Sequence, residues 1–300
     1  MIRFEKCSIK GSRELNEDVL VVNEQDQIFA VIDGATSVTP YKNRNEETGG
    51  FIAANLLGSF LQDVDKTSSL ENQVLLANDS LHELMVESGI DTNKKTDLWS
   101  AAFVVVRIKE TTLEYVQAGD CMLFARYSDG QIRTITHDQV SRFDSKSLKK
   151  SLDGKRLGYH DPNELFQYLL PTIRENRNMA NTFDGYSVLN GDPRLADFLE
   201  KGTINLSGVE RIYMISDGLF YPSTSIEEKT DWNAIVSTID HFGISNYANK
   251  VIQMEESDPQ CDKYPRLKTS DDKTGIVIDL SQKREFAKSE TIESAKTKNI

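Results

Sequence analysis

The stretch "QIFAVIDGATS", Gln27 to Ser37, decides how this chain is read. Five apolar residues, Ile28 to Ile32, run without a charge and stop on Asp33-Gly34. Alternation would mark a strand with one wet face, whereas an unbroken run marks a strand buried on both. "RIYMISDGLF", Arg211 to Phe220, repeats the arrangement, with Ile212 to Ile215 running into Asp217-Gly218. A carboxylate at the end of a buried strand loses its hydration and needs a partner. No Lys or Arg follows Asp33 or Asp217 within four residues, so a metal ion is the natural partner.

Asp-Gly occurs at five places, 33, 129, 153, 184 and 217, and the ordinary reading of the pair is a turn. That reading holds at Asp129, where "YSDGQ" joins two half-polar strands, and for Asp153 and Asp184 in irregular loops. Three other junctions carry acids. "RELNEDV" supplies Arg13, Glu17 and Asp18, "QAGDCM" supplies Asp120, and "KTSDDKTGIVID" supplies Asp271 and Asp272. Each lies where a loop meets an apolar strand. Two carboxylates about 4 Å apart repel by roughly 4 kcal/mol at an effective dielectric near 20. Several in one cleft therefore call for divalent cations, and oxygen ligands alone select Mg2+ or Mn2+ over zinc. Two such ions can share a water and lower its pKa toward neutrality.

The totals allow a sizeable folded core. The chain has 300 residues, 38% hydrophobic and 27% charged, enough for a large folded domain. A net charge of −12 argues against nucleic acid or an anionic membrane as the main partner. Cys7, Cys121 and Cys261 are far apart and odd in number, which disfavours disulfides and zinc and fits a reducing cytoplasm. The first residues alternate and lack the apolar core of a signal peptide, and no window approaches the ~20 apolar residues of a membrane helix.

The patterning predicts strands at 2–10, 18–23 and 27–33, then helices at 51–64 and from a capping box at Ser68 and Glu71. Four strands follow (101–108, 113–118, 122–127, 131–136), with short links that imply antiparallel meanders. Residues 138–205 read as loops and short helices. A strand at 211–216, helices at 231–242 and 245–256, and a strand at 274–280 complete an α+β layered domain over 1–280. Residues 281–300 read as a polar C-terminal tail.

In order, these motifs (R-x-x-x-E-D, apolar-D-G, G-D, S-D-G and D-D-x-T before a last strand) resemble the PPM family, the metal-dependent protein phosphatases of the 2C class, in its bacterial form. The resemblance spans about residues 8–280. It implies a four-layer αββα sandwich, two stacked, mostly antiparallel sheets flanked by helix pairs, with two Mg2+ or Mn2+ ions at one end. It implies that Asp33 bridges the ions with Gly34 giving its carbonyl, that Asp217 and Asp271 bind the first ion, and that Glu17, supported by Asp18, serves the second. Arg13 would clamp the phosphate. The reaction implied is attack of a metal-bridging hydroxide on phosphoserine or phosphothreonine without a phosphoenzyme. Two departures stand out. Ala35 occupies the place where many relatives carry a histidine acid, which leaves the acid unidentified, His137 and His160 being more in keeping with structural or surface roles. Tyr221 stands where a third-ion ligand is common, so a third ion beside Asp120 is expected to be weak or absent. Residues 138–205 correspond to a flap that bacterial relatives place near the site, and their basic "GKRLGYH" and "RENRN" could receive an acidic phosphopeptide.

The function expected is a cytoplasmic phosphoprotein phosphatase opposing a Ser/Thr kinase. A non-catalytic phosphoprotein-binding module and a hydrolase of small phosphorylated metabolites are the alternatives.

Overall fold

Apolar runs buried on both faces require a layer on each side of the sheet, and the computed structural model has that architecture. It describes residues 2–35, 37–64 and 68–281. One sheet has the order β1-β10-β9-β6-β7, formed by β1 (Arg3–Ile9), β10 (Lys273–Asp279), β9 (Val209–Ile215), β6 (Met122–Tyr127) and β7 (Ile132–Thr134). The other has the order β2-β3-β4-β5-β8, formed by β2 (Val19–Asn23), β3 (Ile28–Ala35), β4 (Ser100–Ile108), β5 (Thr112–Ala118) and β8 (Glu200–Asn205). All pairings are antiparallel. Helices α1 (Gly49–Gln62) and α2 (Leu70–Glu87) cover the second sheet, and α6 (Trp232–Phe242) and α7 (Ile244–Glu256) cover the first.

The opening stretch now has its explanation. Along β3, Ile28, Ala30 and Ile32 face the α1–α2 layer, while Phe29 and Val31 face the space between the sheets. Along β9, Ile212 and Met214 face that space and Tyr213 and Ile215 face α6 and α7. Each fully buried aliphatic side chain contributes about 1.5–3 kcal/mol, so neither face of these strands tolerates charge until the strand ends.

Three expectations are corrected. Helix α2 is capped one residue later than expected, by Ser69, whose hydroxyl accepts from the Asn72 amide at 3.1 Å. The four strands are not one meander: β4–β5 and β6–β7 are hairpin pairs in different sheets. Gly119 makes the crossing, with φ +84° and a Cα so close to Ala102 that a Cβ would stand 2.6 Å from that residue's own Cβ. Residues 138–205 are not mainly loop. They form α3 (Ser141–Arg156), α4 (Pro162–Asn178), the short α5 (Leu195–Phe198) and strand β8. Asp153-Gly154 thus lies inside α3, where Gly154 lets Leu165 and Tyr168 of α4 pack closely. The tail expected at 281–300 lies outside the described residues beyond Ser281.

Candidate active site

The Asp-Gly pairs at the ends of β3 and β9 are not hairpin turns: Asp33-Gly34 lies within β3, and Asp217-Gly218 opens a single 3-10 turn after β9. Gly130, in the true hairpin, has φ +86° and open space around it, whereas Gly34 and Gly218 are pressed against other backbones. A Cβ on Gly34 would stand 2.6 Å from the Gly50 carbonyl oxygen and 2.7 Å from that of Glu17. The Gly34 amide donates to that Glu17 carbonyl at 3.2 Å. A Cβ on Gly218 would stand 1.9 Å from the Asp272 carbonyl oxygen. Glycine is used here for close approach, and what approaches is the backbone bearing the other acids.

Asp18, Asp33, Asp217 and Asp271 share one electrostatic neighbourhood at this end of the two sheets. Asp33 is close enough to Asp217 to act as its hydrogen-bond partner. Burial, then the charges of Asp18, Asp217 and Asp271, push the Asp33 carboxyl well above the usual range. Burial and Asp271 raise Asp217, against the pull of Lys268 and Asp33. Burial, with Asp217 and Asp272, lifts Asp18 to about 8 although Ser216 donates to its Oδ2 at 2.8 Å. Asp120, just past the sheet crossing, is raised by burial and by Asp217, Asp144 and Asp138.

Glu17 and Arg13 form an adjoining edge. Glu17 is buried, its Oε2 lies 3.3 Å from an Arg13 guanidinium nitrogen, and its Oε1 accepts from the Thr48 hydroxyl. Thr48 also caps α1, accepting from the Phe51 amide at 3.2 Å. Arg13 keeps about a third of its side chain exposed, at 36%. Tyr221 is exposed beside Lys250, and Ala35 is paired in the β3–β4 ladder with Ser100.

Asp272, named from the sequence beside Asp271, takes a different place from it, and Asp138, Asp144 and Lys268 were missed by sequence reasoning. Asp272 does not face the acids' centre: its two oxygens accept the amides of Gly11 and Glu17, each at 2.7 Å. Asp138 and Asp144 come from the segment read as loop, and burial followed by Asp217 and Asp138 raises Asp144 to about 7. Lys268 is the main correction to the idea that no cationic side chain serves the buried acids. Its ammonium lies 2.6 and 2.5 Å from the two oxygens of Asp271 and also acts on Asp217 and Asp33. Burial would lower the Lys268 pKa, but these three acids together raise it. Its signal was its place three residues before Asp271, upstream of the acid rather than downstream.

A cleft of about 510 Å3 is lined by His137, Asp138, Arg142, Phe183, Tyr186 and Glu200 among others, and Asp138 links it to the acids through its effect on Asp120 and Asp217. His160 is exposed between α3 and α4. The basic segments are partly engaged within the fold, Lys155 with Asp262 at 2.9 Å and Arg177 with Ser100 at 2.6 Å.

The acids suit divalent cations on one test internal to the structure. Oδ1 of Asp18 and Oδ1 of Asp217 are buried and have no hydrogen-bond partner. A buried oxygen without a donor is costly, and a hard cation removes that cost. Among the described residues no three His, Cys, Asp or Glu side chains are drawn together tightly enough to enclose an ion as they stand. The ammonium of Lys268 lies among them instead.

A sequence model described as protein phosphatase 2C matches residues 10–251. That span holds Arg13, Glu17, Asp33 and Asp217 but ends before Asp271. A search of the curated proteins finds no match. Among solved structures, a bacterial serine phosphatase shares the fold with TM-score 0.56 at 16% identity, covering 94% of this chain and 98% of that one. The serine/threonine phosphatase Stp1 from Staphylococcus aureus gives 0.54 at 16%, covering 94% and 96%. The catalytic domain of the serine/threonine phosphatase PstP, solved with two manganese ions, gives 0.54 at 17%, covering 93% and 97%.

Proposed function

The chain belongs to the protein phosphatase 2C family, and from that premise we propose that it hydrolyses phosphoserine and phosphothreonine in proteins, using two Mg2+ or Mn2+ ions. Asp33, the Gly34 carbonyl, Asp217 and Asp271, with Glu17 and Asp18 on the second side, would hold the ions. The bound ions would supply an activated water and offset the charge of the phosphoryl group. The observation that carries this reading is the pair of buried, partnerless oxygens on Asp18 and Asp217 within a group of mutually repelling acids.

The chain's own residues then divide the work. Arg13, held by one contact to Glu17, offers its remaining guanidinium N–H groups to a phosphoryl oxygen at the partly exposed edge. Thr48 fixes Glu17, and Asp272 fixes the backbone between Gly11 and Glu17, so the edge is positioned before substrate arrives. Ala35 offers no proton donor, and water supplies the proton to the leaving alkoxide. The adjoining cleft, with Arg142 and Phe183 on its wall, receives the polypeptide around the phosphorylated residue. A third ion at Asp120 stays weak because Tyr221 brings no carboxylate.

A cytoplasmic setting opposite a Ser/Thr kinase follows from the same reading. Among the described residues no helix is long and apolar enough to cross a membrane. One observation favours the second reading, a regulatory phosphoprotein-binding module: a lysine stands among the metal-binding acids. Metal-stripped protein assayed on phosphoserine and phosphothreonine peptides, with and without Mn2+, separates the two. Release of phosphate only with Mn2+ is expected. Peptide binding with no release at any metal concentration would favour the module.

A further inference from the structure

The loop before β10 carries a cation of its own into the acidic centre. Lys268 bonds both oxygens of Asp271 and acts electrostatically on Asp217 and Asp33, three of the groups an incoming metal ion would need. The loop that delivers it is braced. Asp258 accepts the amides of Asp262, Lys263 and Tyr264 at 3.0, 3.2 and 2.8 Å, and Arg266 at 2.9 Å. Arg266 also donates to the Thr269 carbonyl at 3.0 Å, and Lys273 donates to that of Asp271 at 2.9 Å. The Lys268 ammonium is buried against Asp271, but part of its side chain is exposed and its four-carbon stem is flexible, so the ammonium can swing out when a competing cation arrives. Asp217 keeps a buried oxygen that the ammonium leaves without a partner. One monovalent group therefore serves the centre incompletely, in the space where a divalent ion would be served better.

We propose that Lys268 is a built-in competitor for the metal position formed by Asp33, Asp217 and Asp271: it neutralises these acids in the metal-free chain and must be displaced when Mg2+ or Mn2+ binds. This rests on the reading of those acids as metal ligands. A lysine so placed makes metal-free protein easier to fold and makes the loaded state depend on a higher free metal concentration. A divalent ion outcompetes the ammonium for the Asp271 oxygens, because it carries twice the charge, approaches the oxygens more closely and repels the ammonium once bound.

The test is calorimetric titration of chelator-stripped protein with Mn2+, alongside thermal melts with and without the ion. Lys268→Met is expected to bind Mn2+ about ten- to a hundredfold more tightly than the parent chain. Its metal-free melting temperature falls, and its metal-induced rise grows. Lys268→Arg keeps the charge and binds Mn2+ no more tightly than the parent. A lysine that is merely structural would lower the melting temperature in both states and leave metal affinity unchanged or weaker, which would overturn the proposal. If Lys268→Met does not fold without metal, refolding in Mn2+ is expected to recover it, and failure in both conditions overturns the idea. Absence of Mn2+ uptake by parent and variant alike also overturns it. Uptake that shifts as stated, with no phosphopeptide hydrolysis by either protein, counts against the phosphatase reading and leaves the competitor in place.

Discussion

The Asp272 carboxylate accepts the backbone amide of Glu17 at 2.7 Å, across 255 positions of sequence. Its other oxygen takes the Gly11 amide at the same distance, 2.7 Å. The neighbouring acids thus have opposite orientations: Asp271 meets Lys268 in the acidic centre, and Asp272 ties the Arg13–Glu17 loop to the start of β10. Asp272→Ala leaves two amides without an acceptor, and a buried unpaired donor costs about 1–3 kcal/mol. The expected loss is about 2–5 kcal/mol of unfolding free energy, read by urea denaturation. Phosphate release should fall with it, because Glu17 is no longer fixed. A loss under about 1 kcal/mol would mean that water replaces the carboxylate.

Asp33→Asn is expected to abolish Mn2+-dependent phosphate release while preserving the fold. Asparagine keeps the shape and removes a charge that burial and three acidic neighbours already oppose. The metal-free protein should therefore melt no lower than the parent, and removal of one repelling charge should raise its midpoint. Hydrolysis of p-nitrophenyl phosphate, with melts in chelator, reads both effects. Turnover at the parent rate would remove Asp33 from the ion site.

The fold was legible where burial is two-sided. The runs ending at Asp33 and Asp217 lie between three packed cores, so their uncharged composition is forced, and Asp33-Gly34 and Asp217-Gly218 mark the strand ends because the glycines must touch other backbones. The α3–α4 pair was not legible. Its polar sequence buries few residues, mainly Phe143, Ser147, Ser151 and Gly154 of α3 and Leu169 and Asn176 of α4. It also carries Gly154 and Pro171, which read as breakers in a linear scan. The break between β5 and β6 was hidden for another reason: a short link looks alike whether the next strand pairs or crosses to the facing sheet. Lys268 escaped notice because its targets Asp33 and Asp217 are remote in sequence, and only the fold brings the charge to them.

Arg13→Ala should act on binding more than on stability. The guanidinium is partly exposed and makes a single long contact with Glu17, so its loss changes unfolding free energy by less than about 1 kcal/mol. If it holds phosphate before and during reaction alike, KM rises and kcat stays near the parent value. Steady-state kinetics on a phosphopeptide checks this. A large fall in kcat with KM unchanged would instead place Arg13 on charge that develops only in the transition state.

Gly218→Ala and Gly130→Ala should differ sharply. At Gly218 the new methyl would meet a carbonyl oxygen of β10's leading loop at 1.9 Å, a contact between backbones that a rotamer change cannot relieve. A loss above about 3 kcal/mol is expected there. At Gly130 the surroundings are open and only the positive φ resists, at about 1 kcal/mol. Thermal melts of the two variants decide the matter. Equal losses would show that the Asp217 turn and the Asp272 loop can move apart, and that the acids are held less firmly than their packing indicates.

The loop carrying Lys268 should loosen in acid, and the direction follows from Asp258. Burial pushes its carboxyl up, but the amides of Tyr264, Lys263 and Asp262 and the Arg266 guanidinium outweigh that and hold it at about 2. An unfolded aspartate titrates near 4. With the folded value below the unfolded one, the native state binds fewer protons between about pH 4 and pH 2, so Asp258 contributes its full stability above about pH 4 and loses it as pH falls through that window. Asp258→Asn cannot titrate and leaves Arg266 without its carboxylate. The parent should therefore be more stable than Asp258→Asn at pH 7, and the gap should narrow from about pH 4 to pH 3. Other carboxyls titrate there too, but they do so in both proteins, so the difference isolates Asp258. Urea unfolding of both chains at pH 7, 5, 4 and 3 supplies the measurement. A gap that stays constant down to pH 3 would mean that the amides and Arg266 hold the loop equally well around a neutral side chain.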